Sequence, residues 1–424
     1  MSVLSSFSQL TATYRWMLAA ACVFNLGFYM LIPFLAGYLK QDLLLSATLV
    51  GVVLGVRSFC QQGLFLVGGL VADLMGAKLP IVVGCVLRAV GFGLFLFSEQ
   101  TLVLFLAAFL TGFAGALFTP AAQAFFAKQE AISSTQMFSL VAIARNAGEL
   151  LGPVCGVLLL SISFDLLCLI AALPFALFAV VFYLLLPNKT ASASTTATEK
   201  TEQNQQNASI ANTIRTVLSN KAFLTFSAVM SGYFMLINQI SFAIPIHLVA
   251  SSGTPQDIAW IMTLCAVVAI ALQFPVTKAC ERRLTPQHWI SIGIALMGLS
   301  FSTLILDWPY RDGLLALLPL CVLAIVFTLG TLVSFPFIMS QIALLAHNKS
   351  VATHYGFFYL FAGLGLIAGS SLVGLAFDLS HRSEHLAWYS LLVIGFGTSL
   401  LNMLFMSSKS QPEAAQPIKS SIIK

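Results

Sequence analysis

The feature that most limits what this chain can become is the length of its apolar runs. A helix needs about 20 consecutive apolar residues to cross the hydrocarbon core of a bilayer. Runs of that length recur at 15–38, 48–72, 79–98, 101–126, 136–161, 163–187, 221–249, 256–280, 287–307, 313–345, 350–378 and 385–407. In lipid a backbone must satisfy its own N–H and C=O groups, which leaves only helices or closed barrels. Barrel strands alternate apolar and polar residues over about ten positions, and these runs do not alternate. The reading is an all-α membrane protein with twelve transmembrane helices. Charged residues make up 8% of the chain and apolar ones 59%, against roughly a quarter charged in soluble domains, which excludes a soluble fold.

Basic residues mark the cytoplasmic side of short loops. With the N-terminus inside, one face carries Arg15, Lys78, Lys128, Lys189, Lys200, Arg215, Lys221, Lys278, Arg282, Arg283, Lys349, Lys409, Lys419 and Lys424. The other carries only Lys40, Arg311 and Arg382, while Arg57, Arg88 and Arg145 fall inside spans. Both termini are therefore expected in the cytoplasm. The net charge of +5 follows from this asymmetry and implies no nucleic-acid partner. The first apolar run is a full span without a small-residue cleavage site, so no cleavable signal peptide is expected. All eight cysteines lie in or at the ends of spans without metal-ligand spacing, and read as packing residues.

The sharpest break in composition is the polar stretch 188–219. It is too poor in large apolar groups to offset its ordering entropy, and reads as a cytoplasmic linker with a short helix from Ser209. The domain reading is a six-helix bundle over 1–187, this linker, a second six-helix bundle over 220–407 and a cytoplasmic tail, 408–424. The halves look like copies. A shift of 216 residues lays Phe109–Pro120 over Ile325–Pro336, and a shift of 217 lays Gly148 and Gly152 over Gly365 and Gly369. Same-direction repeats related by an axis along the membrane normal place a binding site between them near midplane.

Glu149 is the carboxylate lying deep inside an apolar segment, where a charge costs roughly 2.5–3.5 kcal/mol on insertion scales. Arg145 lies four residues earlier, about 6 Å along the axis on the same helical face, where the two could pair. Pro153 leaves a carbonyl without its backbone donor, that of Glu149 itself. Gly148, Gly152 and Gly156 recur every four residues, a smooth strip against which another helix can pack closely or slide. Burial favours a neutral carboxyl and a guanidinium nearby an ionised one, so separating Arg145 from Glu149 would control protonation. Arg57 and Arg88 lie well inside their spans and need an anion, a carbonyl or a wet cavity. Asn25, Tyr29, Gln61, Tyr233, Asn238 and Gln239 are candidate cavity lining beside these arginines, as is Gln273.

These residues resemble the major facilitator superfamily. Gly69, Asp73, Gly76 and Lys78, between the second and third spans, are similar to its loop signature of glycine, aspartate, glycine and a basic residue. Gly148, Gly152, Pro153 and Gly156 resemble the glycine and proline signature of its drug:proton antiporters. Gly27 and Pro33, Arg57 with Gln61, Arg88 with Gly91, and Gly112, Phe118 and Pro120 are similar to MdtH-type multidrug exporters of the bacterial inner membrane. The chain departs from the superfamily pattern at Leu74 and Ala108, where arginine is usual, and carries no acid in the first span.

The resemblance implies alternating access between two bundles, a multi-pass inner-membrane protein, and export of small organic molecules by proton antiport. Glu149 and Arg145 would then couple protons, Gly148, Gly152, Pro153 and Gly156 would form the hinge surface, and Asp73, Gly69, Gly76 and Lys78 the gate. Asp73 would accept from the first amides of the eleventh span, near Ser350 to Thr353. Three buried arginines against one glutamate suit an anionic cargo, so a dedicated exporter of a siderophore or other carboxylate stays open, as does an uptake permease. The expected partners are a small-molecule substrate and the lipid bilayer, with a monomer as the working unit. No phosphate-cradling loop occurs, so ATP is not the energy source within this chain; the resemblance implies a proton gradient, and no cofactor is expected. His381, Glu384 and His385 match a zinc-binding pattern, but neither a stable helix nor a third ligand accompanies them, so no metal is expected and the chain does not read as an enzyme.

Overall fold

The computed structural model describes residues 3–45, 47–97, 99–187, 205–240, 242–244, 247, 255–281, 283–306, 317–347, 349–378 and 385–407. Among the described residues all regular structure is helical. The first half comprises α1 (Val3–Gln9), α2 (Ala12–Gln41), α3 (Ala47–Gly63), α4 (Phe65–Met75), α5 (Lys78–Leu94), α6 (Thr101–Ala127), α7 (Ser134–Leu160) and α8 (Phe164–Leu185). After α9 (Gln205–Ser219), the second half comprises α10 (Lys221–Ile237), α11 (Pro255–Glu281), α12 (Pro286–Ser300), α13 (Leu318–Leu345), α14 (Val351–Asp378) and α15 (Leu386–Ser407). Several starts follow from local chemistry. Ser133, Ser163 and Asn220 each accept a backbone N–H three residues on, at 3.1, 3.1 and 3.0 Å, the usual satisfaction of a first-turn amide.

Ten of these helices are long and apolar enough to cross a membrane, and α3 with α4 forms an eleventh span bent by 41°. The expected unbroken helix over 48–72 is thus broken. Gly63 ends α3, and a residue without a side chain is where a helix yields most easily. The bend carries α4 against α14, where Phe65 stacks on Tyr359 with ring centroids 4.7 Å apart. The span expected over 287–307 is short: α12 stops at Ser300 and continues as one 3-10 turn, Phe301–Leu304. The linker helix expected from Ser209 begins at Gln205. Residues 188–204, the 408–424 tail and the His381 and Glu384 positions lie outside the described residues.

Within each half the helices meet through glycine. A methyl group on Gly148 would fall on the Cys22 carbonyl oxygen, one on Gly152 would come within 2.6 Å of the Tyr29 Cβ, and one on Gly156 would meet the Met30 carbonyl. The strip on α7 therefore holds α2 at backbone contact. Gly365 and Gly369 do the same for α14 against Ser231 and Met235 of α10. Gly84 of α5 faces Ala114 and Phe118 of α6, and Gly293 of α12 faces Gly330 and Ser334 of α13. The same kinds of contact therefore recur in the two halves.

A valine at Gly148 must push α2 away from α7, and overpacking of this kind costs about 1–3 kcal/mol. Thermal unfolding in detergent is expected to show a lower Tm for Gly148→Val. Gly397→Val, where a Cβ meets nothing within 4 Å, should leave the Tm within error of wild type.

Candidate functional site

Two cavities meet at the centre of the packing. The larger, about 680 Å3, runs along α7 from Ala142 to Val157 and is closed opposite by Met262 to Gln273 of α11 and Phe327 to Phe335 of α13. The smaller, about 370 Å3, lies mainly among α2, α3, α5, α6 and α7, with Tyr359 of α14 in its wall. Tyr29, Arg145 and Phe335 line both, so the compartments adjoin at these three side chains.

Glu149 and Pro153 face the larger cavity. The pairing available to Arg145 and Glu149 is not used: among the described residues no ion pair joins them. Arg145 instead lays its guanidinium over the Phe335 ring, 5.2 Å from the centroid. A ring face stabilises a cation by about 0.5–2 kcal/mol without fixing it to one acceptor, so Arg145 stays presented to both compartments. Tyr29 lies within electrostatic reach of both charges.

Arg88 lines the smaller cavity, donates one hydrogen bond to the Thr111 carbonyl at 3.3 Å, and stands over the Phe175 and Phe28 rings at 5.6 and 5.9 Å. Arg57 also faces the Phe28 ring, at 5.1 Å, and donates to Gln61 Oε1 at 3.1 Å and Ser58 Oγ at 3.3 Å. It lines neither cavity and stands behind Gln61 and Phe28, which do. The Nε of both arginines is buried without a hydrogen-bond partner.

Asn25, Tyr29 and Gln61 line the cavities as the sequence suggests, and Gln273 lines the larger one. Three others do not. Tyr233 is fully buried with no partner for its hydroxyl. Asn238 donates to Ser370 Oγ at 2.9 Å, and Gln239 returns to the Met235 carbonyl at 2.6 Å. Of the three only Asn238 bonds to another helix; Gln239 turns back on its own segment, and Tyr233 is packed in the interior away from both cavities.

A second set of contacts closes one side. Asp73, in the last turn of α4, accepts from the Ala352 N–H at 3.2 Å, the Thr353 N–H at 2.7 Å and the Thr353 hydroxyl at 2.6 Å. The amides are those of the first turn of α14, left without intrahelical acceptors and carrying the positive end of the helix dipole. Gly69 permits the approach, since a methyl there would fall on the Ala352 carbonyl. Gly76 ends α4 at φ 88°, a left-handed value that glycine adopts without strain. Lys78 is elsewhere, its ammonium 5.0 Å from the Tyr183 ring.

The second half has a counterpart of this contact. Glu281 at the end of α11 accepts from Ser133 Oγ and, at 2.6 Å, from Gln136 Nε2 in the first turn of α7. Gln123 donates to the Tyr359 hydroxyl across the same interface. Gln123, Tyr359 and Phe335 escape notice in the sequence, and Glu281 is marked there only by its place in the loop of the second half equivalent to that of Asp73.

A polytopic helical membrane protein with a central charged cavity, closed on one side by carboxylates on opposing helix ends, is the architecture of a solute carrier. The chain belongs to the Major Facilitator Superfamily, whose family model matches residues 17–251 and 238–422. It is 33% identical over 379 residues to an uncharacterized MFS-type transporter of Mycobacterium tuberculosis, covering 88% of each chain. It is 30% identical over 391 residues to the multidrug resistance protein MdtH of Salmonella typhimurium, covering 91% of this chain and 92% of that one. Among solved structures it matches a POT family transporter crystallised with a thioalcohol-conjugated peptide, with a TM-score of 0.69, 15% identity, and 96% and 100% of the two chains covered. At that identity the match speaks for the fold alone. The protein is a multi-pass membrane transporter.

Removing the Asp73 acceptor should loosen the closed side, since an N-terminal cap contributes about 0.5–2 kcal/mol. In a background lacking the native cysteines, maleimide labelling of a cysteine placed at Gln123 is expected to rise several-fold in Asp73→Ala. Unchanged labelling would show that Asp73 does not hold this side shut.

Proposed function

We propose that the protein exports small organic molecules across the bacterial inner membrane by proton antiport, through alternating access of two six-helix bundles. The observation that carries this reading is Glu149, a carboxylate free of any ion pair to Arg145, in the wall of a cavity of about 680 Å3. An acid within the membrane span that no fixed cation holds can take and release a proton as the cavity changes sides.

In this reading the bundles are 1–187 and 220–407, joined by 188–219, with twelve membrane-crossing segments when α3 and α4 count as one and α12 with its 3-10 turn as another. The basic-residue asymmetry sets both termini and the 408–424 tail in the cytoplasm. The side closed by Asp73 and Glu281 is then the cytoplasmic one, and the described conformation presents its cavity outward. Proton loading on Glu149 in this state, and release after the gate changes sides, would drive export. Gly148, Gly152, Pro153 and Gly156 supply the surface on which α7 moves over α2. The resemblance to MdtH supports drug-like cargo, and the largely apolar lining of the larger cavity agrees with it.

Uptake into inside-out vesicles, with and without an imposed proton gradient, tests the proposal. Wild type is expected to concentrate cargo only with the gradient, and Glu149→Gln to bind it but lose accumulation. A Glu149→Gln protein that still concentrates cargo against its gradient would remove Glu149 from coupling.

A further inference from the structure

The charged groups of the smaller cavity are all cationic. Arg88 and Arg145 line it, Arg57 stands behind its wall, and no aspartate or glutamate lines it. Each guanidinium carries five N–H donors. Among the described residues the only hydrogen bond made by Arg88 is the 3.3 Å contact to Thr111, and Arg145 makes none. Two neighbouring polar groups already have their oxygens engaged, while Gln123 Oε1 is left without a partner. Gln61 gives its amide oxygen to Arg57, so its NH2 is what it has left to offer. The Tyr359 oxygen accepts from Gln123, so its O–H remains available as a donor. The rest of the wall is aromatic, including Phe24, Phe28 and Phe118. Two guanidiniums with unspent donors, set among rings and with no carboxylate in the wall, match an oxyanion and repel a cation.

The second observation is the position of Arg145. It sits at the junction with the larger cavity, whose lining is mostly aliphatic beyond it. We propose that this transporter takes amphiphilic organic anions. A compact oxyanion group, carboxylate or phosphate monoester, docks between Arg88 and Arg145 with Gln61 and Tyr359, and the apolar body runs past Arg145 into the larger cavity. This names a substrate class for the transport reading and rests on it for its physiological meaning. The geometry also gives Arg145 two calls on its charge, the bound oxyanion and Glu149, which lies four residues away on the same helix.

The test is binding to purified protein in detergent, with no gradient, using 11-(dansylamino)undecanoic acid, its neutral methylamide and a trimethylammonium analogue of the same chain length. Charge-assisted hydrogen bonds separate the acid from the amide by roughly tenfold or more, so the acid is expected to bind at least tenfold tighter than either analogue. Arg88→Gln and Arg145→Gln should each abolish most of that preference while leaving amide binding within about threefold. Asn25→Asp, which adds a negative charge to the same wall without removing an arginine, should weaken the acid selectively. It keeps the idea testable if Arg88→Gln does not fold. Competition by dodecanoate and dodecyl phosphate ranks the two oxyanions, and displacement by neither overturns the site. Equal affinity for acid and amide, tightest binding of the ammonium, or equal losses for all probes in the variants would also overturn it. Retained acid preference without gradient-driven accumulation would instead sink proton-coupled export and leave the site standing.

Discussion

The cost of holding charge away from water organises this molecule. A guanidinium in a protein does not lose its proton, so Arg57, Arg88 and Arg145 cannot become neutral when their helices enter lipid. Each must find a ring face, a carbonyl or a solvated space, and the three helices that carry them, α3, α5 and α7, turn those faces inward together. Phe28 takes Arg57 and Arg88 on one ring, and Phe335 takes Arg145. Arg88 and Arg145, which keep unspent donors after these contacts, line the cavities. The polar interior is thus the place where the charge penalty of the membrane helices is met.

The same constraint explains how the halves are held. Asp73 and Glu281 are both matched to the opening turn of a helix in the opposite half. For Asp73 the donors are α14 backbone amides and the Thr353 hydroxyl, while Glu281 uses the side chains of Ser133 and Gln136 at the start of α7. Such contacts stabilise by a kilocalorie or two rather than by the larger, costlier balance of a buried ion pair. Contacts of this strength suit the gate proposed for them, since they hold one state and can still release it. Glycine makes it possible twice over: Gly69 lets α4 reach the α14 backbone, and the Gly148, Gly152 and Gly156 strip lets α7 lie directly on α2.

Much of this was readable in the chain. The glycine strips, their copies at Gly365 and Gly369, and the reach of Asp73 toward residues 350–353 all follow from spacing, resemblance and backbone hydrogen-bond arithmetic, and the structure contains each contact. The cavity residues were legible only in part. Asn25, Tyr29, Gln61, Arg88 and Arg145 do line it, whereas Tyr233, Asn238 and Gln239 line neither cavity, and of these only Asn238 bonds to another helix. A polar residue in an apolar run shows that some partner is required, but not whether that partner is a cavity or the next helix.

The sequence by itself determined that the chain lives in a bilayer as helices, because run length and scarcity of charge allow nothing else. It also determined which charges would be trapped there, since side-chain identity is a local property. Only the tertiary structure decided the break at Gly63, the parting of Arg145 from Glu149 in favour of Phe335, and the collection of unspent donors around the smaller cavity. Those outcomes depend on which partner comes first within about 3 Å to 6 Å of a polar group, and that is settled by the packing of segments up to several hundred residues apart in the chain.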